Sequence, residues 1–299
     1  MSITVAIVGP TAVGKTDLSL ELAELLDGEV INADSMQFYR GMDIGTAKVP
    51  FCERRGIPHH LIDTLDVRDA ANVADYQVAA RAQVAELHSR GKAALLVGGS
   101  GLFINAVLDD MQFPASDSAV RDRLNAEAEE VGVEAMYQRL VAADPQAAAN
   151  VIPQNLRRII RALEVIEITG EAPNTALPDL AEVVPSVRIG LRRDREVLDE
   201  RIEKRVELMW QQGLVDEVEQ LEIQGLREGL TASKALGYQQ VLAALAGECS
   251  MDQAKTDTIF GTRRYVRRQE SWFKRDKKIQ WLDATTVTAS EISGIIASA

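Results

Sequence analysis

The hydrophobic pattern of the first hundred residues alternates between short apolar runs and segments of helical periodicity. Apolar runs at residues 3–8 and 93–97 are typical of strands buried in a parallel sheet, and a second strand is predicted at residues 29–33. Between them, apolar residues recur every three or four positions, which predicts helices at residues 17–26 and 75–90. This order predicts an α/β fold in which helices flank a parallel sheet. A further strand is expected around Pro58 to Asp63.

The pattern changes near Pro114, after which helical periodicity continues without strands to about Thr169. Two apolar stripes indicate helices that pack on each other. The first stripe comprises Val120, Leu124, Ala128 and Val131, and the second comprises Leu156, Ile159, Leu163 and Ile166. A strand pattern resumes at residues 187–191 after a connector with three prolines. We therefore predict a discontinuous core domain of residues 1–114 and 186–299, and an all-helical inserted domain of residues 115–185.

Residues 9–16 match the phosphate-binding pattern G-x-x-x-x-G-K-[ST] at every fixed position, between a predicted strand and a predicted helix. The members of this P-loop are Gly9, Pro10, Thr11, Ala12, Val13, Gly14, Lys15 and Thr16. Such a loop surrounds phosphate oxygens with backbone N–H groups at a helix N-terminus, and its lysine reaches the terminal phosphate. The Thr16 hydroxyl is a ligand that Mg²⁺ prefers. The motif leaves open whether the phosphate is transferred, hydrolysed or expelled.

Polar side chains stand at the carboxyl ends of two of the predicted strands. Asp34 follows the second strand and Ser100 follows the fourth, so both should lie at the same sheet edge as the P-loop. A carboxylate at this edge could bind Mg²⁺ through water, take a proton from a nucleophile, or cap a turn. Ser100 also begins a helix, where its hydroxyl could cap the helix or bond a ligand.

Arginines recur at helical spacing in three places. Arg157, Arg158 and Arg161 share a broad face of one predicted helix, and Arg201 and Arg205 lie four positions apart on another. A third helix, which Ser250 and Gln253 can cap, carries cations interleaved with aromatic residues: Arg263, Arg264, Arg267, Arg268, Trp272, Phe273, Lys274 and Arg275. Cations and aromatics suit binding to a phosphate backbone and base stacking, although a solvated surface helix has the same pattern.

Composition narrows these hypotheses only slightly. The length of 299 residues allows two domains, and the net charge of −12 still allows a local positive patch. Cys52 and Cys249 fit no zinc pattern, and the paired His59 and His60 lack ligand-spaced partners, so we expect them to pack structurally. No leader and no apolar run of membrane-spanning length is visible, so we expect a cytoplasmic protein without membrane association.

Six stretches resemble, in their order along the chain, the bacterial type of the tRNA dimethylallyltransferase (tRNA isopentenyltransferase) family: GPTAVGKT, INADSMQFYRGMDIGTAK, PHHLID, LLVGGSGLF, RRIIRALEV and SKALGYQQ. The resemblance implies a P-loop NTPase-like core. It also implies transfer of a dimethylallyl group from its pyrophosphate to the N6 amine of the adenosine 3′ to the anticodon. A P-loop small-molecule kinase that binds ATP is the main alternative, and a nucleotide-dependent RNA-binding protein is a third hypothesis.

The resemblance also implies roles for individual residues. Lys15 and Thr16, with Mg²⁺, would stabilise the departing pyrophosphate, Asp34 would take the proton of the amine, and Arg201 and Arg205 would assist pyrophosphate binding. The implied tRNA contacts are Asp34, Ser35, Met36, Gln37, Ser100, Arg121, Arg157, Arg158, Arg161, Lys234, Gly237 and Tyr238. The expected partners of a monomeric enzyme are dimethylallyl pyrophosphate and the tRNA anticodon stem-loop.

The sequence departs from the family pattern at two positions. Ser100 stands where threonine is common, which keeps the hydroxyl. Gln239 stands where a basic residue is frequent, which removes one possible phosphate contact.

Overall fold

The computed structural model describes residues 2–114, 116–171 and 181–298. The chain forms two compact units, one of residues 1–109 with 182–299 and the other of residues 110–181. Among the described residues, no helix combines the length and the apolar character that crossing a membrane requires.

The described part of the first unit contains one parallel sheet of six strands in the order β3-β2-β4-β1-β5-β6. The strands are β1 Thr4–Val8, β2 Gly28–Asn32, β3 His59–His60, β4 Ala93–Gly98, β5 Ser186–Arg192 and β6 Ile279–Asp283. Every residue of β1 is buried, as expected for a strand covered on both faces. The predicted α/β class with a parallel sheet is confirmed.

Two strands differ from the prediction for physical reasons. β3 is much shorter than the predicted segment, because Leu61 and Asp63 take positive φ angles of 58° and 57°, which end the extended conformation. β6 has no counterpart among the predicted strands. It is a short edge strand in which Gln280 and Asp283 interrupt the apolar residues, so it lacks the continuous apolar run of a central strand.

Helices of the first unit cover both faces of the sheet. In chain order, the described helices of both units are α1 Lys15–Leu26, α2 Val73–Ser89, α3 Gly101–Leu108, α4 Ser118–Ala143, α5 Pro145–Ala149, α6 Leu156–Thr169, α7 Arg195–Gln211, α8 Leu214–Ile223, α9 Tyr238–Leu245, α10 Met251–Phe273 and α11 Ala289–Ser298, of which α4, α5 and α6 belong to the second unit. Val5 and Ile7 of β1 pack with residues of α1, α7 and α11, whereas Ala6 and Val8 pack with residues of α2 and α3. Asp194 and Ser250 cap α7 and α10, as predicted.

The second unit has a helical core of its own, built by α4, α5 and α6. Both predicted stripes contribute to it, with Leu124 and Ile159 fully buried. Val131 is an exception, because Gly132 adopts φ 82° and breaks α4 at this point, which leaves Val131 50% exposed.

Candidate active site

A cavity of about 790 Å³ opens beside the carboxyl end of β2 and the start of α1. Its lining includes Lys15 and Thr16 of the P-loop, Asp34 from the loop after β2, and Arg201 and Arg205 from α7. The fold therefore brings the predicted phosphate-binding residues and the candidate base to one cavity.

The P-loop is closed by its own lysine. The Lys15 Nζ donates hydrogen bonds to the carbonyl oxygens of Gly9 and Pro10 at 2.9 and 2.8 Å. Gly9 and Gly14 adopt φ angles of 145° and 111°, which side chains rarely tolerate. Val13 is fully buried in the core, so its side chain anchors the loop and does not face the cavity.

The two predicted arginines of α7 contact the P-loop. The Arg205 Nη1 donates to Thr11 Oγ1 at 2.8 Å, and the Arg201 Nε donates to the carbonyl oxygen of Ala12 at 2.7 Å. A third arginine, which the sequence did not single out, donates from Arg193 Nε to the Val13 carbonyl oxygen at 3.3 Å. Arg193 directly follows β5, so its position at the carboxyl end of a parallel strand was the available signal.

Burial and mutual charge shift the pKa values of the cavity residues. Burial lowers the pKa of Lys15 to about 7, and Arg205 adds to this effect while Asp34 opposes it. Burial raises the pKa of Asp34, against the hydrogen bond from Met36 and the charges of Lys15 and Arg205. A bound anion would favour the protonated form of Lys15, and a carboxylate with a raised pKa is the stronger base.

Asp34 is oriented by the turn that it caps. Its Oδ1 accepts a hydrogen bond from the Met36 N–H at 3.0 Å, and its own N–H donates to Asn32 Oδ1 at 2.9 Å. The buried Asn32 also donates from Nδ2 to the carbonyl oxygens of Asp34 and Leu61. The turn-capping role and the cavity-lining role of Asp34 are therefore both realised.

The loop of residues 34–48 is held by residues distant in sequence. The Glu217 carboxylate accepts the backbone N–H groups of Asp43, Ile44 and Gly45 at 3.1, 2.8 and 3.3 Å. It also accepts the Tyr238 hydroxyl at 2.5 Å. Three successive N–H groups that point at one carboxylate form an anion nest, which fixes the far half of the loop.

A buried lysine fixes the same loop from inside. The Lys48 Nζ donates to the Tyr39 carbonyl oxygen at 2.5 Å, and it pairs with Asp43 and Asp63 at 2.8 and 2.5 Å. Gln37, a predicted tRNA contact, donates from Nε2 to the Thr46 carbonyl oxygen at 3.1 Å. Displacement of the far half of the loop would therefore also displace the Gln37 side chain.

The predicted tRNA-binding residues near α9 fall into two groups. Gly237 and Tyr238 are buried, and a Cβ on Gly45 would lie 2.4 Å from the Tyr238 ring. Tyr238 supports the 34–48 loop from inside, because its ring packs against Gly45 and its hydroxyl donates to Glu217. Lys234 and Gln239 are exposed, and the contact of Lys234 with tRNA stays a prediction.

Ser100 stands at the N-terminus of α3, but its side chain does not cap that helix. It hydrogen-bonds with Tyr265 of α10, a residue absent from the sequence predictions because it lies within an arginine-rich run. Burial raises the pKa of Tyr265 to about 12, and the charge of Asp34 adds to the rise. Tyr265 therefore lies within electrostatic range of Asp34.

In the second unit, two of the four predicted arginines bind a buried carboxylate and the other two are exposed. Glu164 is fully buried and accepts hydrogen bonds from Arg121 and Arg161, each at 2.9 Å. Arg157 and Arg158 are exposed on α6. A glutamate between the apolar residues Leu163 and Val165 of α6 was the signal for this pairing. Contacts of the four arginines with tRNA stay predictions.

The cavity offers Mg²⁺ few protein ligands. The described residues contain no group of three or more His, Cys, Asp or Glu side chains that could hold a metal ion. His59 bonds to the Ile57 carbonyl oxygen at 2.9 Å, and His60 bonds to Glu29 at 2.6 Å. Thr16 lines the cavity next to Lys15, which fits an ion held mainly by phosphate oxygens and water.

Comparisons with known proteins agree on one family. The model of the IPP transferase family matches residues 37–276. A tRNA dimethylallyltransferase of Thermobifida fusca is 56% identical over 287 residues, which cover 94% of this chain and 90% of that protein.

Solved structures give the same result. The full-length tRNA isopentenylpyrophosphate transferase of Bacillus halodurans has a TM-score of 0.74 and 41% identity, with coverage of 100% of this chain and 96% of that one. A eukaryotic dimethylallyltransferase that acts on tRNA has a TM-score of 0.82 and 27% identity, with coverage of 99% of this chain and 79% of that one.

Proposed function

The chain belongs to the IPP transferase family, and from this premise we propose that it transfers a dimethylallyl group to the N6 amine of the tRNA adenosine 3′ to the anticodon. Dimethylallyl pyrophosphate is the proposed donor, and pyrophosphate is the leaving group. The observation that carries the proposal is the shared cavity of Lys15, Arg205 and Asp34. The relatives favour this transferase over the small-molecule kinase, whose P-loop would look the same.

At the phosphate end, the bond between the allylic carbon and the pyrophosphate oxygen breaks, and its electron pair stays on the oxygen. Lys15 and Arg205 lie where this negative charge develops, and the first-turn N–H groups of α1 add positive potential. Arg201 contributes from the cavity wall. Positively charged groups placed before the reaction stabilise the departing pyrophosphate without reorganisation.

At the adenosine end, a new bond forms between N6 and the allylic carbon, and one N6 proton must leave. The N6 lone pair is delocalised into the ring, so bond formation and proton loss occur together. Asp34 is the proposed acceptor of that proton, because its carboxylate lines the cavity beside Lys15 and its pKa is raised by burial. The products are N6-dimethylallyladenosine in tRNA, pyrophosphate and a protonated Asp34.

Mg²⁺ is part of the proposal. Thr16 would hold the ion together with pyrophosphate oxygens and water, and the ion would supply further neutralisation of the leaving group. Lys15 and Arg205 are the side chains with which the protein itself would neutralise the leaving group.

Recognition of tRNA requires the target base to leave its stack, which costs little in a single-stranded anticodon loop. Exposed cations on α10 would contact the phosphate backbone. They are Arg264, Arg267 and Arg268. A monomer acting in the cytoplasm is proposed with this function.

The test is incorporation of labelled dimethylallyl pyrophosphate into unmodified tRNA with Mg²⁺, beside an ATP-hydrolysis assay on the same preparation. We expect label in wild-type tRNA, none in a tRNA with guanosine at the target position, and no ATP consumption that depends on tRNA. Consumption of ATP without incorporation of label would overturn the transferase in favour of the kinase.

A further inference from the structure

Helix α10 presents two different polar faces. Arg264, Arg267 and Arg268 are exposed on the outer face, whereas Tyr265, Gln269 and Trp272 follow one another at helical spacing on the inner face. Gln269 is 5% exposed, and a buried amide must find partners for both its donor and its acceptor. The inner face therefore makes its polar contacts within the protein, unlike the exposed outer face.

The Gln269 amide connects two loops of the active site. Its Oε1 accepts a hydrogen bond from the Thr11 N–H of the P-loop at 3.0 Å. Its Nε2 donates to the Gly99 carbonyl oxygen at 2.9 Å, in the loop between β4 and α3. Thr11 also accepts from Arg205, so this amide and the α7 arginine meet on one P-loop residue.

The loop between β4 and α3 is shaped to receive this face of α10. A Cβ on Gly99 would lie 2.2 Å from Gln269 Nε2, and a Cβ on Gly101 would lie 2.0 Å from Trp272 Cδ1. The Trp272 Nε1 donates to Asn105 Oδ1 at 3.2 Å. Two glycines thus make room for the approach, and Ser100 between them hydrogen-bonds with Tyr265.

We propose that Gln269 is a positioning residue for the transfer reaction, which sets the separation between the P-loop and the Gly99–Ser100 loop. The proposal rests on the proposed function, in which the P-loop holds the pyrophosphate and Ser100 lies on the tRNA side. Reacting atoms need near-contact geometry, and a misplacement of about 1 Å costs on the order of 10²-fold in rate. Loss of the bridge should lower kcat at saturating substrates.

The decisive variant is Gln269→Glu, which keeps the size of the side chain. As a carboxylate it still accepts from Thr11 but faces the Gly99 carbonyl oxygen with no proton to donate. As a carboxylic acid it has both the donor and the acceptor of the amide. Tyr265 hydrogen-bonds with Gln269, and Arg205 reaches the same Thr11 and interacts with Asp34. Burial favours the protonated form of the introduced carboxyl group.

The measurement is kcat for label transfer at saturating tRNA and dimethylallyl pyrophosphate, expressed at each pH from 6 to 8.5 as the ratio of variant to wild type. We expect Gln269→Glu to be about 100-fold slower than wild type at pH 8.5, by the misplacement argument, and its ratio to rise as the pH falls. Gln269→Leu should be equally slow at every pH. The matched control is Gln253→Glu on the exposed first turn of α10, whose ratio should stay near one.

Three results would overturn the proposal. They are a wild-type kcat for Gln269→Glu at pH 8.5, a low ratio that does not change with pH, and a loss of activity that only follows the unfolded fraction in thermal melts. Should Gln269→Glu fail to fold, Gln269→Met decides, because a folded Gln269→Met with wild-type kcat excludes the bridge. Wild-type enzyme without any label transfer would instead overturn the proposed function, and the positioning role with it.

Discussion

The two loops that line the cavity are built in opposite ways. The P-loop closes on itself, because Lys15 bonds to carbonyl oxygens five and six residues earlier. The 34–48 loop depends on Glu217 and Tyr238, which lie far along the chain on α8 and α9. A site can thus combine a motif that is complete in a few residues with a loop that takes its shape only after the rest of the chain has folded.

Asp34 of the 34–48 loop interacts electrostatically with Lys15 of the P-loop. Removal of its carboxylate should have the largest effect on turnover. We expect Asp34→Ala to lower kcat by about 10²- to 10⁴-fold, the usual contribution of a general base, while tRNA affinity changes little. Single-turnover transfer and tRNA binding measure the two quantities. Asp66→Ala, an exposed carboxylate that pairs with Arg40, is the control. Undiminished turnover of Asp34→Ala would remove this residue from the base role.

The phosphate end should respond to pH through Lys15. Its pKa of about 7 means that the free enzyme loses the lysine charge as the pH rises above 7. We expect kcat/KM for dimethylallyl pyrophosphate to fall by about tenfold per unit above that pH, and the fall in kcat to begin at higher pH, because bound pyrophosphate favours the charged lysine.

The acid side of the same profile reports Asp34. Its raised pKa predicts that kcat falls as the pH drops, beginning above the range of an ordinary aspartate.

On the alkaline side of the profile, a constant kcat/KM for dimethylallyl pyrophosphate between pH 7 and 9 would contradict the role of Lys15.

The dependence of the 34–48 loop on distant residues can be broken sterically. Gly45→Ala places a Cβ 2.4 Å from the Tyr238 ring, so the ring or the loop must move. We expect a destabilisation of about 1–3 kcal/mol, typical of overpacking, and a KM for tRNA raised severalfold. Denaturant unfolding and steady-state kinetics test both. Gly294→Ala, inside α11 where a Cβ has no neighbour within 4 Å, should raise the unfolding free energy by about 0.5–1 kcal/mol and leave the KM for tRNA unchanged.

The same dependence can be weakened electrostatically. Glu217→Gln replaces a carboxylate that accepts three N–H groups and a phenol, and we expect it to cost about 2 kcal/mol of unfolding free energy. Affinity for pyrophosphate alone should not change, because the P-loop closes without Glu217. Glu219→Gln on the exposed face of α8 is the control. A parallel loss of pyrophosphate affinity would show that the two loops are not built separately.

The smallest expected effect concerns the second unit. Arg157 is exposed, whereas Arg121 is bound to the buried Glu164. We expect Arg157→Gln to reduce the slope of log affinity for tRNA against log salt by about 1, without loss of stability. Affinity titrations from 50 to 200 mM salt measure the slope. An unchanged slope would assign Arg157 to the solvated face of α6.

The sequence predicted what short segments determine. The strands β1 and β4 are apolar runs, β2 and β5 were also predicted although each includes polar residues, and the P-loop pattern needs only eight residues between β1 and α1. Asp34 could be predicted because it directly follows a strand whose carboxyl end had to lie at the P-loop edge.

The remaining parts of the site depend on distant pairing, which no local pattern contains. Glu217 looks like an ordinary charged residue of an amphipathic helix, and its nest forms only when α8 packs beside residues 43–45. The buried positions of Gln269 and Tyr265 could not be predicted from the sequence. Both residues lie within an arginine-rich run, and the inner and outer faces of α10 are both polar. The family resemblance implies an RNA contact for Arg121, and only tertiary packing shows its pairing with Glu164.

The strand order has a consequence for the chain during its synthesis. β1 lies between β4 and β5, and β5 follows β1 only after the entire second unit and its connectors. At about 5–20 residues per second, one edge of this fully buried strand waits roughly ten to thirty-five seconds for its partner. During that interval the nascent chain offers an unpaired apolar strand edge, the kind of surface to which other chains add. Truncation before Ser186 should therefore give ribosome-released fragments that aggregate, and the enzyme's yield in cells should depend on chaperones that shield this edge.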